Sequence, residues 1–314
     1  MGIVVIGTTF VDIKGFPTNT FIPDGRNEGS VKIVHGGVSR NIVEDIANLE
    51  LRPTFLSLVD DNAYGTDVIE RLNRHKVNTK YIKKIKNGMG SWLAIFNEKG
   101  DVFASISKRP DFLPIIEVID KYGDEMFSEC DSISVELDTD TRILGKIFAY
   151  AKKYNKRVYS PIANMSIAMD RRDLFKKVDC VVCNKEEAGL LFMENYDSIP
   201  VEELPQIIHE RINDAEISRI VVTVGPDGAV YASKDGEYGL SPAVDAKVID
   251  TTGAGDSFYA GVCAGLTYGK SLKEACEIGN RLAATVIQST ENVCPRFLPS
   301  EFKLDPNYKN NYHP

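Results

Sequence analysis

Short runs of apolar and β-branched residues recur along the chain, separated by stretches whose apolar positions return every three or four residues. The runs IVVIG (3–7), TFLSLV (54–59), SISVEL (132–137), RVYSP (157–161), CVVCN (180–184) and RIVVTVG (219–225) predict strands. Stretches near 39–49, 63–75, 140–154, 185–194 and 201–213 predict helices. Strands that are apolar on both faces and alternate with helices predict a mostly parallel sheet covered on both sides, an α/β architecture. After residue 225 the pattern changes to a hairpin, GAVYAS–KDG–EYGLS, and then to two helices. Ser271 and Glu274 have the spacing of a capping box at the start of the last one.

Two stretches break this rhythm. SVKIV (30–34) and GSWLAIFNEKGDVFASIS (90–107) read as antiparallel strands, the second folded at NEKGD, where Gly100 suits a positive φ. They predict a small sheet outside the main one, either a lid over a cleft or a subunit interface. No Pro/Gly/Ser-rich linker, internal repeat or low-complexity tract divides the chain. The tail CPRFLPSEFKLDPNYKNNYHP is expected to wind over the surface.

Composition narrows the classes. With 314 residues, 43% of them hydrophobic, a large core is available, and a net charge of −8 without long basic runs disfavours a nucleic-acid or membrane surface. No run of eighteen apolar residues exists, and MGIVVIGTTFVD lacks a basic segment ahead of its apolar run. It reads as a first strand rather than a leader, so a cytoplasmic protein is expected. Six cysteines are scattered. Cys180 and Cys183 lie three apart on one strand, facing opposite sides, and no second pair completes a zinc site.

The candidate chemistry gathers at strand ends and helix starts. In DTTGAGDSFYAG (250–261), Gly253, Ala254 and Gly255 precede a helix whose small residues Ala260, Gly261, Ala264 and Gly265 predict close packing. Amides at a helix start lack partners and attract anions. Asp256 is then either the helix cap or a base beside a phosphate site. TVGPDG (223–228) is a phosphate-approach loop, with Thr223 and Gly225, or a plain turn. Asn184 and Glu187 are hard oxygen donors on one side of a helix start, suited to Mg²⁺ through water, or simply residues favoured there. In HGGVSRN (35–41), Gly36 and Gly37 bare the backbone ahead of Asn41, as a binding surface or a turn. Asp12, just past the first strand, can accept from a diol or sit solvated. Two nucleotide fingerprints fail: GLTYGKS (265–271) is one residue short of a P-loop and follows a helix, and GAGDSF is not GxGxxG. A nicotinamide-dependent oxidoreductase therefore lacks its fingerprint.

The order Asp12, GG-xxx-N, NxxE, TxGxxG, DTxGAGD resembles the PfkB (ribokinase-like) family of carbohydrate and nucleoside kinases from Gly2 to about Cys294. The resemblance implies a ribokinase-like three-layer α/β/α sandwich with a mostly parallel central sheet. It implies one kinase domain over 1–314, with small β-sheet lid strands from about 12–35 and 88–110. It implies ATP and Mg²⁺, with Asp256 as catalytic base and Gly253, Ala254 and Gly255 as anion hole. Asp12, Gly36, Gly37 and Asn41 would hold the acceptor. Asn184, Thr223, Gly225, Gly228 and Asn280 would line the ATP site, and Glu187 would organise Mg²⁺ through water. Asp250 and Thr252 match positions that bind a monovalent cation such as K⁺, and a homodimer through the lid is expected. GGVSRN is nearer the pseudouridine-kinase branch than ribokinases, favouring a nucleoside or ribose-like sugar. Lys108 and Arg109 either meet a phosphorylated sugar or form a solvated lid edge, and Trp92 either stacks on a base or fills the lid. A phosphosugar kinase, or a non-catalytic sugar or nucleotide sensor on this fold, is the alternative.

Overall fold

The computed structural model describes residues 2–97, 102–162, 164, 169–170 and 172–305. The NEKGD turn, with Gly100, and the last residues of the tail lie outside them. Among the described residues, nine strands form one sheet in the order β13-β12-β11-β10-β9-β8-β1-β4-β5. These are β1 (Val4–Ile6), β4 (Thr54–Asp60), β5 (Ile82–Ile85), β8 (Ser132–Val135), β9 (Arg157–Pro161), β10 (Cys180–Asn184), β11 (Arg219–Thr223), β12 (Ala229–Ser233) and β13 (Tyr238–Ser241). From β5 to β11 neighbours run parallel; β12 and β13 add an antiparallel hairpin at one edge.

The period of two along each strand divides the core into two layers. Val4, Ile6, Val181 and Cys183 face one side. There they meet α3 (Ile115–Glu129), α4 (Thr141–Lys153), α5 (Lys185–Phe192) and α6 (Leu204–Ala215). Val5, Cys180 and Val182 face the other, with α1 (Val38–Asn48), α2 (Ala63–Arg74), α7 (Ala254–Thr267) and α8 (Leu272–Val286). Cys180 and Cys183 are thus buried thiols on opposite faces. α7 and α8 pack closely because their contact is glycine: a Cβ on Gly261 would lie 2.7 Å from the Cα of Gly279. The capping box at Ser271 forms with both bonds, 3.2 and 3.0 Å.

Four features differ from the sequence reading. α3 escapes the pattern because Pro114 supplies no side-chain cap and Gly123 interrupts the run. That glycine is required by packing, since a Cβ there would sit 2.5 Å from the Tyr150 ring. β5, as IKKI, is too polar to stand out. The small sheet has four strands, β3 (Gly29–Gly36), β2 (Phe10–Pro17), β6 (Gly90–Phe96) and β7 (Val102–Lys108), in that order. It is mixed rather than wholly antiparallel, because β2 runs parallel to β6. The tail does more than cover the surface: Phe302 and Leu304 are buried against the α7–α8 layer.

Candidate active site

α7 begins at Gly253, which is left-handed (φ 84°) and whose absent Cβ would lie 2.2 Å from the Asn292 carbonyl oxygen. Only glycine fits there. Asp256 is therefore not the cap. It stands in the first turn with its side chain directed to α1, where Asn41 Nδ2 donates to Asp256 Oδ2 at 2.7 Å. The Ala254 amide turns back to the Thr251 carbonyl at 3.2 Å, while the Gly255 and Asp256 amides have no acceptor among the described residues. A Cβ on Gly255 would meet nothing within 4 Å, so this helix mouth is open to a ligand.

The orientation of Asn41 is fixed by what donates to its oxygen. Arg40 Nη1 lies 2.8 Å and Asn292 Nδ2 3.1 Å from Asn41 Oδ1. Its amide must then face Asp256. Arg40 is fully buried, paired with Glu44, which also accepts from Arg71 Nε at 2.9 Å. Asn292 also donates to the His35 carbonyl at 3.0 Å, tying the loop after α8 to the base of the lid.

Asp12 lies on the buried face of β2. It fits because Gly36 has no side chain, since a Cβ there would be 2.3 Å from the carboxylate. Gly37, at φ 98°, starts α1 and brings Asn41 round. Burial pushes the Asp12 carboxyl up to about 6, against the pull of Lys14 and Arg40. Burial pushes Asp256 up to about 7; the Asn41 bond opposes this, Asp12 adds to the rise, and Arg40 lowers it. Glu136, just beyond β8, is held near 8 by burial and by Asp138, and it accepts from Ser39 Oγ. Asp12, Gly36, Gly37, Asn41 and Asp256 are thus one cluster. Arg40, Asn292 and Glu136 join it without having been singled out in the sequence. Arg40 stood in plain view inside GGVSRN, whereas the loop around Asn292 carries no pattern.

A second group assembles at neighbouring strand ends. Asn184 and Thr223 are register partners at the carboxyl ends of β10 and β11, and Thr223 Oγ1 is 3.5 Å from the Cys183 carbonyl. Asn184 and Glu187 form a reciprocal capping box, 2.8 Å in each direction, so the spacing read as a ligand pair is also a helix start. Burial raises the Glu187 carboxyl. Gly225 (φ 61°) is open on its Cβ side. Gly228 (φ 105°) packs on the backbone at Ser241, 2.1 Å from a Cβ placed there. Asn280 is buried and donates to Ser241 and Pro242, at 3.0–3.1 Å, pinning that segment. Asp250 Oδ1 accepts from the Thr252 amide at 2.9 Å. Among the described residues no three His, Cys, Asp or Glu side chains cluster as a closed metal site. Glu187 fits a metal held mainly by phosphates and water, not a protein cage. α7 packs on β9 in mid-sheet and on α1, so its mouth lies between the two groups.

The lid edge is occupied differently. Arg109 pairs with buried Asp138 at 2.6 Å, and Lys108 is exposed. Trp92 stands edge-on to Phe96, ring centres 6.4 Å apart, on the lid face that carries Asp12.

A lidded α/β sandwich with free helix-start amides beside a near-neutral carboxylate is the site of a phosphoryl-transfer enzyme. The model of the pfkB family of carbohydrate kinases matches residues 2–294, and the chain belongs to that family. It is 32% identical over 295 residues to the guanosine-inosine kinase of Exiguobacterium acetylicum, covering 92% of this chain and 95% of that protein. It is 25% identical over 315 residues to the pseudouridine kinase of Escherichia coli, covering 92% and 96%. The ribokinase of Arabidopsis thaliana, solved with ribose and ATP, superposes with a TM-score of 0.79 at 18% identity, covering 96% of this chain and 97% of that one. The fold is thus the ribokinase-like sandwich with its lid. Kinases of this family use ATP, with Mg²⁺ generally associated. Among the described residues, no helix is long and apolar enough to cross a membrane.

Proposed function

We propose that the protein moves the γ-phosphoryl group of ATP to a hydroxyl of a ribonucleoside, with Asp256 taking the hydroxyl proton. The observation that carries this is the pairing of Asp256, held at about 7 and oriented by Asn41, with free amides at the mouth of the same helix. A carboxylate there is unfavourable beside an anion unless it has a proton to accept. Phosphoryl transfer asks chiefly for positioning and charge stabilisation.

Asp12, Gly36, Gly37 and Asn41 hold the acceptor, with Asp12 accepting from its diol. Gly253, Ala254 and Gly255 shape the anion hole, the free amide of Gly255 donating to the migrating phosphoryl group. Asn184, Thr223, Gly225, Gly228 and Asn280 form the nucleotide edge, Asn280 by pinning the segment at Ser241–Pro242. Glu187 meets Mg²⁺ through water; the ion, when bound, offsets phosphate charge. Asp250 and Thr252 hold a monovalent cation, and exchange of K⁺ for a bulky organic cation is expected to lower turnover. Residues 1–314 act as one catalytic unit, the lid excluding water from the reaction.

Two observations favour a nucleoside over a free sugar: the aromatic inner face of the lid, and the similarity to a guanosine-inosine kinase. The test is ATP consumption against a panel of nucleosides, sugars and phosphosugars. Consumption that requires a nucleoside supports the reading; none with any acceptor defeats it. The lid's outer face carries Ile33, Ile13, Leu93 and Ile106 in one row across its four strands, three of them exposed by 42–71%. Such a patch is suited to a second copy of the chain.

A further inference from the structure

The inner face of the lid carries a cation that has so far entered only through its pull on Asp12. Lys14 follows Asp12 on the same face of β2 and is only 6% exposed. Among the described residues it forms no ion pair, yet it lines a cavity of about 620 Å³ between the lid and the loops at 248–251 and 290–292. Its ammonium is not sealed away: it opens on the cavity and lies in the field of Asp12 on the same face, so it can donate to an acceptor that a ligand brings. The half-buried Arg71 of that cavity is committed to Glu44 at 2.8 Å, and His35, which burial holds toward its neutral form, is bonded to Asp67 at 2.9 Å.

The surroundings of Lys14 define what it can meet. Its register partners are Lys32 on β3 and Ala94 on β6, so one flank is small. Phe16 and Phe96, stacked with ring centres 4.7 Å apart, line the cavity, and Trp92, the register partner of Asp12, packs edge-on against Phe96. Two residues along a strand span about 6.6 Å. With the length of the lysine side chain added, a diol held at Asp12 leaves its attached base on the side of Lys14. A flat ligand laid against this aromatic wall, with a hydrogen-bond acceptor toward Lys14, is the shape that suits it. A phosphate suits it less, because Asp67, Asp250 and Glu291 line the same cavity and Asp12 adjoins it.

We infer that Lys14 reads the acceptor base, donating from its ammonium to the 6-oxo oxygen of a purine nucleoside. This rests on the nucleoside-kinase reading above. Guanine and hypoxanthine present an acceptor at that position, whereas adenine presents an amino donor that would face the ammonium. The site therefore selects 6-oxopurine nucleosides against adenosine, and Lys14 is a specificity residue.

The experiment compares inosine with purine riboside, which lacks the 6-substituent, and with adenosine, for wild type, Lys14→Met and Lys14→Arg. Melting curves establish that each variant is folded. Wild type is expected to prefer inosine over both competitors. In Lys14→Met the inosine-to-purine-riboside ratio of kcat/KM should fall by about 10- to 150-fold, the worth of a hydrogen bond to a charged donor. Lys14→Arg should recover part of it. An unchanged ratio in folded Lys14→Met overturns the inference. If that variant does not fold, the wild-type ratio decides, and a value near one overturns it equally. Phosphorylation of sugars but of no nucleoside removes the base-reading role while leaving the kinase intact. Absence of turnover with every acceptor would sink the kinase reading itself.

Discussion

Removing the Asn41 side chain should shift the pH profile of the enzyme in a direction and by an amount the geometry dictates. Asn41 Nδ2 donates to Asp256 Oδ2 at 2.7 Å, a bond that favours the ionised carboxylate. A hydrogen bond to a charged group contributes about 1.5–3 kcal/mol. Asp256 is only partly shielded from solvent, so the lower end applies, and about 1.4 kcal/mol is one pKa unit. Loss of the bond raises the carboxyl from about 7 to about 8. The base must be ionised to work, so the acidic limb of kcat/KM moves up with it. At pH 7 the ionised fraction falls from about a half to about a tenth, a loss of about fivefold that fades by pH 9. Asn41→Ala also removes an acceptor contact, which scales the whole profile but does not move its limb. The assay is kcat/KM for the preferred acceptor from pH 5.5 to about 9.5, where the two effects separate. A limb that stays where wild type has it, or moves down, refutes the coupling between these side chains.

Two further outcomes test other parts of the account. Asp45 is fully buried, accepts from the Cys294 amide at 2.6 Å and Ser257 Oγ at 2.9 Å, and is pushed up by burial to about 8. Its folded value exceeds the ordinary one. The stability it contributes is therefore complete below about pH 4 and lost as pH rises through 8. Asp45→Asn can keep both bonds without titrating, so urea denaturation should show a gain on the order of 3–5 kcal/mol at pH 9 and a flatter pH dependence; parallel curves would contradict this. Ile33→Glu with Ile106→Glu should convert a dimer to a monomer in sedimentation experiments with little change in melting temperature, since both side chains are more than half exposed. A wild type that is monomeric at all concentrations would show that the lid face has another use.

What could be read from the sequence was whatever rests on local pattern. Apolar runs such as CVVCN and RVYSP became strands with the same bounds, because a strand buried on both faces has little choice of composition. Gly253 and Gly37 were visible as special backbone positions and adopt positive φ. Partnerships across long separations were not visible. Asn292 reaches Asn41 across 251 positions from a loop whose sequence, STENVCP, has no period. The fate of Lys14 depended on which face of β2 the lid turns inward, which only the pairing with β3 and β6 fixes. Asp256 as cap or base was undecidable locally, because the first helical turn favours acids in either case. The contact with α1 separated the two.

The most direct measurement is turnover by Asp256→Asn at saturating ATP with the preferred acceptor, alongside binding of both substrates. The account predicts a folded protein that still binds ATP and acceptor but turns over about 10²- to 10⁴-fold more slowly. Wild-type turnover in the variant would contradict it.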